Sequence, residues 1–436
     1  MNNALDVWMN GERVGTWTQE PRNGHLFTYT DSWLASPSVR PLSLSLPLSP
    51  SAKPLQGQLI EDFFDNLLPD NSDIRARIQR RFGCRTTSAF DLLGEIGKDC
   101  VGALQLLPEG NIPTDIHTIE ARSLSSHDVA TIIRSIKAGS IPGYSHEDPF
   151  RISLAGAQEK TALLLHEGFW CSPIGSTPTT HIFKLPLGKI GTMQADMGGS
   201  VENEWLCLNL LEAFGLDVAK TDIATFEDQK VLVVERFDRR LSSDRTWWMR
   251  LPQEDLCQAT GTQASMKYES EGGPGISSLM KILLNAADPQ ESRKKFLKTQ
   301  VLFWLLAAPD GHAKNFSIFL ERQGRYTLTP LYDVVSAYPV LGHGIGMIPK
   351  QKLKMAMAVA GTNRHYEWAR IQKRHWLEQA HSTGSIPLMH EIIDEILQEV
   401  PSAISGVTAK LPQDFPEEIA APIMQGLQEA TKNLQL

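Results

Sequence analysis

The stretch SRKKFLKTQVLFWLLAAP, ending at Pro309, constrains this chain more than any other. Its first half carries apolar residues at helical spacing and its second half is apolar all round. That pattern describes a helix running into a core and being stopped by the proline. The period then changes. NFSIFLERQGRYTLTPLYD alternates in both arms, with Phe316, Ile318 and Leu320 before ERQGR and Tyr326 and Leu328 after it. Alternation about a glycine-containing turn predicts a β-hairpin from Asn315 to near Asp333. Between helix and hairpin, Asp310, His312, Lys314 and Asn315 are crowded into six residues. A fold containing this junction must bury the helix, present the polar loop at its end, and bring a second acid, Asp333, back along the hairpin.

The 436 residues are enough for two or three domains. At the N-terminus, DVWMNGERVGTW places Asn10-Gly11 between two strand-like runs, a type I′ hairpin signal. PLSLSLPLSP (41–50) alternates strictly, and its prolines predict an edge strand with Leu42, Leu44, Leu46 and Leu48 on one face. LIEDFFDNLLPDNSDIRARIQRRFG reads as helix, loop, helix, with Asn71 or Ser72 as cap and Gly83 as stop. A Gly-, Pro- and Ser-rich stretch at 138–150 reads as a boundary. Strands follow around RISLAGAQEKTALLLHEGFW and THIFKLPLG, then a helix over SVENEWLCLNLLEAFGL and a buried strand in KVLVVERFDRR. From about 253 the chain reads as mainly helical. The expected organisation is an α/β N-terminal subdomain over 1–142, a small lobe over 143–252 and a mainly helical lobe over 253–436.

Composition excludes several classes. The net charge of -8 disfavours bulk electrostatic binding to nucleic acid. Five scattered cysteines, an odd number with no C-x-x-C, read as reduced thiols. The N-terminus lacks a signal-peptide pattern, and no run approaches the ~18 apolar residues of a membrane helix. The reading is a cytoplasmic protein with no membrane partner.

The chemistry of the junction follows from spacing. Asp310 and Asn315 stand in D-x-x-x-x-N, the spacing of a kinase catalytic loop, where the acid meets the substrate hydroxyl and the amide holds Mg2+. The hairpin would return Asp333 as a second metal ligand. Both residue types also favour caps and turns, so the pair alone is a weak signal. Other kinase parts occur in kinase order. Lys184 sits in the apolar strand HIFKLP, where the alternative is a snorkelling surface lysine. Glu204, with Glu202 as rival, opens the next helix, where a kinase places the glutamate that orients this lysine. SLAGAQEK, with one glycine, supplies Ala155, Gly156, Ala157 and Lys160 as a phosphate loop, and Glu235–Phe237 leaves a buried strand as an adenine hinge. A dedicated metal site at Asp310, His312 and Asp333 is the alternative, but oxygen donors suit Mg2+ better than zinc.

Taken together, these motifs resemble the HipA family of bacterial serine/threonine kinase toxins. WMNGERVG, RPLSLSLPL, FFDNLLPD, FRISLAGAQEKTALL, VERFDRR, RLPQEDLCQ, KYESEGGPGI and DGHAKNFSIF carry the resemblance over essentially the whole chain. It implies a bilobal, protein-kinase-like fold that uses ATP and Mg2+. In that fold Asp310 is the catalytic base, Asn315 and Asp333 are metal ligands, and Lys184 binds phosphate. Ala155, Gly156, Ala157, Gln158, Glu159 and Lys160 form the phosphate loop, and Glu235, Arg236 and Phe237 form the hinge. His312, Ala313, Lys314 and Tyr332 line the nucleotide site, with the γ-phosphate contact open between His312 and Lys314. The resemblance further implies autophosphorylation of Ser153 as an off-switch and glutamyl-tRNA synthetase as target, with growth arrest and persistence as the outcome. The implied partner is a DNA-binding antitoxin of HipB type, operator DNA being met only within that complex. Lys350, Lys352, Lys354, Arg364, Arg370, Lys373 and Arg374, against the single acid Glu367, read as either a solvated face or a DNA-backbone contact. The alternatives are a co-repressor with a vestigial site and a small-molecule phosphotransferase, the latter disfavoured by the N-terminal subdomain.

Overall fold

The computed structural model describes residues 4–20, 24–138, 153–156, 158–191 and 193–435. Ala157 and nearly all of the boundary stretch 138–150 lie outside them. The chain divides into two compact units. The first comprises Met1–Leu185, Ala224–Ser265 and Ser317–Tyr326; the second comprises Pro186–Ile223, Met266–Phe316 and Thr327–Leu436.

The first unit opens with an antiparallel sheet ordered Leu55–Gln56, Gly24–Tyr29, Glu12–Glu20, Ala4–Met9, Leu104–Pro108. Asn10 and Gly11 hold φ 45° and 84°, as a type I′ turn requires. The sheet buries Trp17 and Phe27 against the helices Gln58–Asp65 and Ala89–Ile96, and Trp17 stacks on Phe64 with ring centroids 4.1 Å apart. Asn71 caps the helix Ser72–Phe82 by accepting from the Asp73 N–H at 2.8 Å, and Gly83 ends it at φ 66°.

The leucine segment departs from expectation. Residues 41–50 form no strand. Leu42 and Leu46 are buried while Leu48 is exposed, so alternate leucines do not share a face. The fixed φ of three prolines works against a ladder. The Ser43 and Ser45 hydroxyls bond instead to Glu254 and to the carbonyl of Gln258.

A second sheet runs Thr221–Phe226, Gln229–Glu235, His181–Lys184, Lys160–His166, Phe169–Pro173, Ala121–Ser123. One face takes Val129, Ile132 and Ile133 of the helix Ser126–Lys137 against Leu163, Phe183, Val231 and Val233. Side chains alternate across strands, so Lys160, Ala162 and Lys184 belong to the opposite face.

The second unit is built on buried helices. Ser200–Ala213 is buried nearly all round, as is the C-terminal half of Pro289–Leu305. The latter ends before Pro309, where Ala307 turns left-handed at φ 48°. The hairpin, nearly all of which belongs to the first unit, forms from Ser317–Leu320 and Tyr326–Leu328, shorter at both ends than the Asn315-to-Asp333 reading, with Gln323 and Gly324 at positive φ in its turn. The reading of the last hundred residues as mainly helical misses Lys354–Ala360 paired with Arg364–Glu367. In the first of these strands Met355, Ala356, Met357, Ala358 and Val359 are all buried.

Candidate active site

The first unit carries the residues read as phosphate loop, lysine and hinge. Gly156 holds φ 102°, and a Cβ there would come within 2.7 Å of Lys160 Nζ. Only glycine fits that turn. Its carbonyl accepts from the Asp70 N–H at 3.1 Å. The Lys160 ammonium donates to the Ala155 carbonyl and closes the loop on itself. Gln158 donates to the Leu185 carbonyl, Glu159 pairs with Arg77, and the Leu185 N–H returns a bond to the Glu159 carbonyl at 3.1 Å. Lys184 lies in register with Lys160 across the strand pair and is only 6% exposed. The snorkelling alternative is thereby excluded, since a surface lysine keeps its ammonium in water.

Ser153 is completely buried. Its hydroxyl donates to the Leu67 carbonyl at 2.6 Å and its N–H to the Asp99 carbonyl at 3.2 Å. Asp99 heads a buried charge cluster that sequence reading did not find. Its carboxylate accepts from the Thr179 N–H and hydroxyl and pairs with Arg236, Arg239 and Arg250. Burial alone would raise the Asp99 pKa, but Arg239, Arg236 and Arg250 together hold it well below the usual carboxylate range. The cluster takes up Arg236, one of the three residues read as a hinge. The Arg236 guanidinium bonds to Asp238 and Asp99, its N–H to the Thr180 carbonyl, and its carbonyl accepts from the Arg239 N–H. Arg236 thus ties the backbone of the segment read as a hinge to this cluster, while Phe237 packs edge-on to Phe319.

The second unit gathers the acid residues. Asn315 Nδ2 donates to the Asp310 carbonyl at 2.7 Å and the His312 N–H does so at 2.8 Å, which closes the loop. Gly311 is required there, because a Cβ would reach within 2.4 Å of the Phe303 ring. His312, Ala313, Lys314 and Asn315 are buried, whereas the Asp310 side chain is 55% exposed. The Tyr332 hydroxyl donates to the Lys314 carbonyl at 2.8 Å. Asp333 sits at φ 60°, a left-handed conformation uncommon outside glycine. Its N–H donates to Glu204 Oε1 at 3.1 Å. Asn203 bonds twice to the backbone of Ser336, and the Ser336 hydroxyl reaches the Leu306 carbonyl at 2.6 Å. The start of one buried helix and the end of another therefore hold the Asp333 segment. Glu204 was read as the partner of a lysine; its bond to the backbone of Asp333 is an addition that spacing could not reveal.

A family profile of the HipA-like C-terminal domain matches residues 152–404, and one of the HipA N-terminal domain matches residues 5–107. The chain belongs to the HipA family. A Sinorhizobium fredii protein named "Putative kinase Y4mE" is 33% identical over 409 residues, covering 93% of this chain and 91% of that protein. The "Serine/threonine-protein kinase toxin HipA" of Shewanella oneidensis MR-1 is 29% identical over 322 residues, 71% of this chain and 69% of that one. A solved HipA chain, from the S. oneidensis complex of HipA, HipB and operator DNA, superposes with a TM-score of 0.79. It covers 99% of this chain and 96% of the other at 23% identity. The HipA fold expected from the motifs is the fold observed. Among the described residues no helix is long and apolar enough to cross a membrane.

Proposed function

We propose that this HipA-family chain is a serine/threonine protein kinase that uses ATP and Mg2+ and acts as the toxin of a toxin–antitoxin pair. The observation that carries the reading is the Asp310–Asn315 loop, closed on its own carbonyl and built on the same unit as the strained, helix-held Asp333. The donor set fits magnesium. Asn315 spends its Nδ2 on Asp310, which leaves Oδ1 as acceptor, and Asp333 adds a carboxylate. Among the described residues no three His, Cys, Asp or Glu side chains cluster to hold an ion by themselves. Mg2+ is commonly held by one or two protein oxygens together with substrate phosphates, and when bound it would neutralise charge on them. Asp310 would take the hydroxyl proton of the acceptor serine, Asn315 and Asp333 would hold the metal when it is bound, and buried Lys184 would pair with phosphate oxygens. Glutamyl-tRNA synthetase is the proposed target, HipB-type antitoxin the partner, and phosphorylation of Ser153 the off-switch.

The test is transfer of label from ATP to the synthetase with and without Mg2+. Asp310→Asn should lower kcat roughly 10²- to 10⁴-fold, and Lys184→Ala should abolish toxicity on expression. Wild-type rates in Asp310→Asn would sink the reading. The exposed basic residues at 350–374 favour a second role as co-repressor in an antitoxin–DNA complex, alongside the catalytic one.

A further inference from the structure

The backbone of Asp310 is fixed by His312 and Asn315, yet neither bond restrains its carboxylate. The χ2 torsion of an aspartate is broad and nearly two-fold. A general base must nevertheless present one oxygen at hydrogen-bond distance and angle to the attacking hydroxyl. On a half-exposed side chain that orientation needs a holder.

The segment KYESEGGPGI supplies one. The Tyr268 hydroxyl donates to Asp310 Oδ1 at 2.5 Å. Its ring meets the buried His312 imidazole edge-on, with centroids 5.0 Å apart. The surrounding loop is shaped to keep it there. The Tyr268 carbonyl accepts from the N–H groups of Glu271 and Gly273, both at 3.0 Å. A Cβ on Gly273 would lie 2.2 Å from the Met266 carbonyl oxygen and 2.9 Å from that of Tyr268. A Cβ on Gly275 would lie 2.2 Å from the Glu269 carboxyl carbon, and Glu269 is itself anchored by the Ala358 N–H at 2.7 Å. Two glycines are thus demanded by close approach within eight residues of Tyr268.

We propose that Tyr268 is a positioning residue for phosphoryl transfer: by donating to Oδ1 it turns the Asp310 carboxylate so that Oδ2 faces the acceptor hydroxyl. This rests on Asp310 being the base. In the step, the serine oxygen bonds to the γ-phosphorus as the bond from phosphorus to the β,γ-bridging oxygen breaks. The serine proton passes to Oδ2, and ADP leaves with the electron pair of the broken bond.

Tyr268→Phe keeps the ring and its packing on His312 and removes only the donor. Label transfer from ATP to glutamyl-tRNA synthetase and to the chain itself should show kcat lowered roughly 10- to 100-fold, the value of a hydrogen bond to a charged group. ATP affinity and the thermal midpoint should stay at wild-type values. Because Tyr268 acts through Asp310, adding Tyr268→Phe to Asp310→Asn should cost nothing further. Wild-type kcat in Tyr268→Phe, an equal loss in both backgrounds, or a loss explained by weaker ATP binding would each overturn the inference while leaving the kinase reading intact. A wild-type chain that labels neither protein would remove the kinase reading, and this inference with it.

Discussion

Asp333 combines a left-handed backbone with a carboxylate that the proposed chemistry needs. Such strain costs on the order of 1–3 kcal/mol and persists only where surrounding structure enforces it. Here Glu204 and the Asn203–Ser336 pair enforce it. Asparagine tolerates φ near +60° better than most residues, so Asp333→Asn isolates the charge. Its thermal midpoint should match wild type while Mg2+-dependent transfer falls by roughly 10²-fold or more, since metal charge stabilisation amounts to several kcal/mol. A folded Asp333→Asn with full activity would remove the metal role. Ser153 poses the opposite problem. A phosphoserine brings about -1.5 to -2 charges, and the Ser153 hydroxyl sits fully buried against the Leu67 carbonyl. The residue must leave that seat before it can be modified and cannot return to it afterwards. Mass spectrometry after incubation with ATP should find phosphate on Ser153, at a rate per molecule that rises with protein concentration. Ser153→Asp should lose ATP binding. An unmodified Ser153 in an active preparation would leave the catalytic reading standing and remove the off-switch.

At the scale of elements, the Leu42–Leu46 segment and the strand Gln253–Asp255 meet at a fully buried Glu254. Burial pushes its carboxyl up to about 8, against hydrogen bonds from Ser43 and the Leu44 N–H that pull the other way. The folded pKa therefore lies above the unfolded value of 4.5. The folded state holds this proton more tightly, so its contribution is fully present below the unfolded pKa and is lost as pH rises to about 8. Wild type should lose a few kcal/mol of unfolding free energy between about pH 5 and 8 from this group. Glu254→Gln should lose correspondingly less in urea titrations, and parallel pH profiles for the two would refute the assignment. This contact also shows what sequence pattern can and cannot convey. Strict leucine alternation pointed to a strand, but the partners that decide the backbone, Glu254 and Gln258, lie more than 200 residues away. KMAMAVA is rich in helix formers and folds as a strand because five consecutive side chains are buried, an override of weak propensity by packing. Local signals fared better. Asn10-Gly11, the Asn71 cap, the Gly83 stop and the hairpin after Asn315 each depend on neighbours in the chain. The closure of the Asp310–Asn315 loop is local in the same way, whereas the Asp99–Arg236 pair and Tyr268–Asp310 join residues far apart in sequence.

For the whole molecule, the net charge of -8 means that the chain alone should not bind DNA measurably at physiological salt. The basic stretch is nevertheless presented to solvent. Lys350, Lys352, Lys354, Arg364, Arg370 and Arg374 are all exposed, around a hairpin whose buried side chains fix it to the second unit. Lysines and arginines fixed in this way are suited to phosphate contacts that position a complex without reading sequence. In the proposed function the antitoxin supplies base recognition, and this surface adds backbone contacts once the antitoxin has docked. Each lost phosphate contact should reduce the slope of log affinity against log salt by about 1. Lys350→Ala, Lys352→Ala and Arg370→Ala together should therefore flatten the slope of the toxin–antitoxin complex by up to about 3. Antitoxin alone and kinase activity should be unaffected, because none of the three lies in the Asp310–Asn315 loop or beside Asp333. The measurement is a fluorescence titration of operator DNA across a salt series, with wild-type and variant complexes side by side. A slope that does not change would show the stretch to be an ordinary solvated face. A variant that weakens the complex equally at every salt concentration would place these residues at the contact with the antitoxin instead.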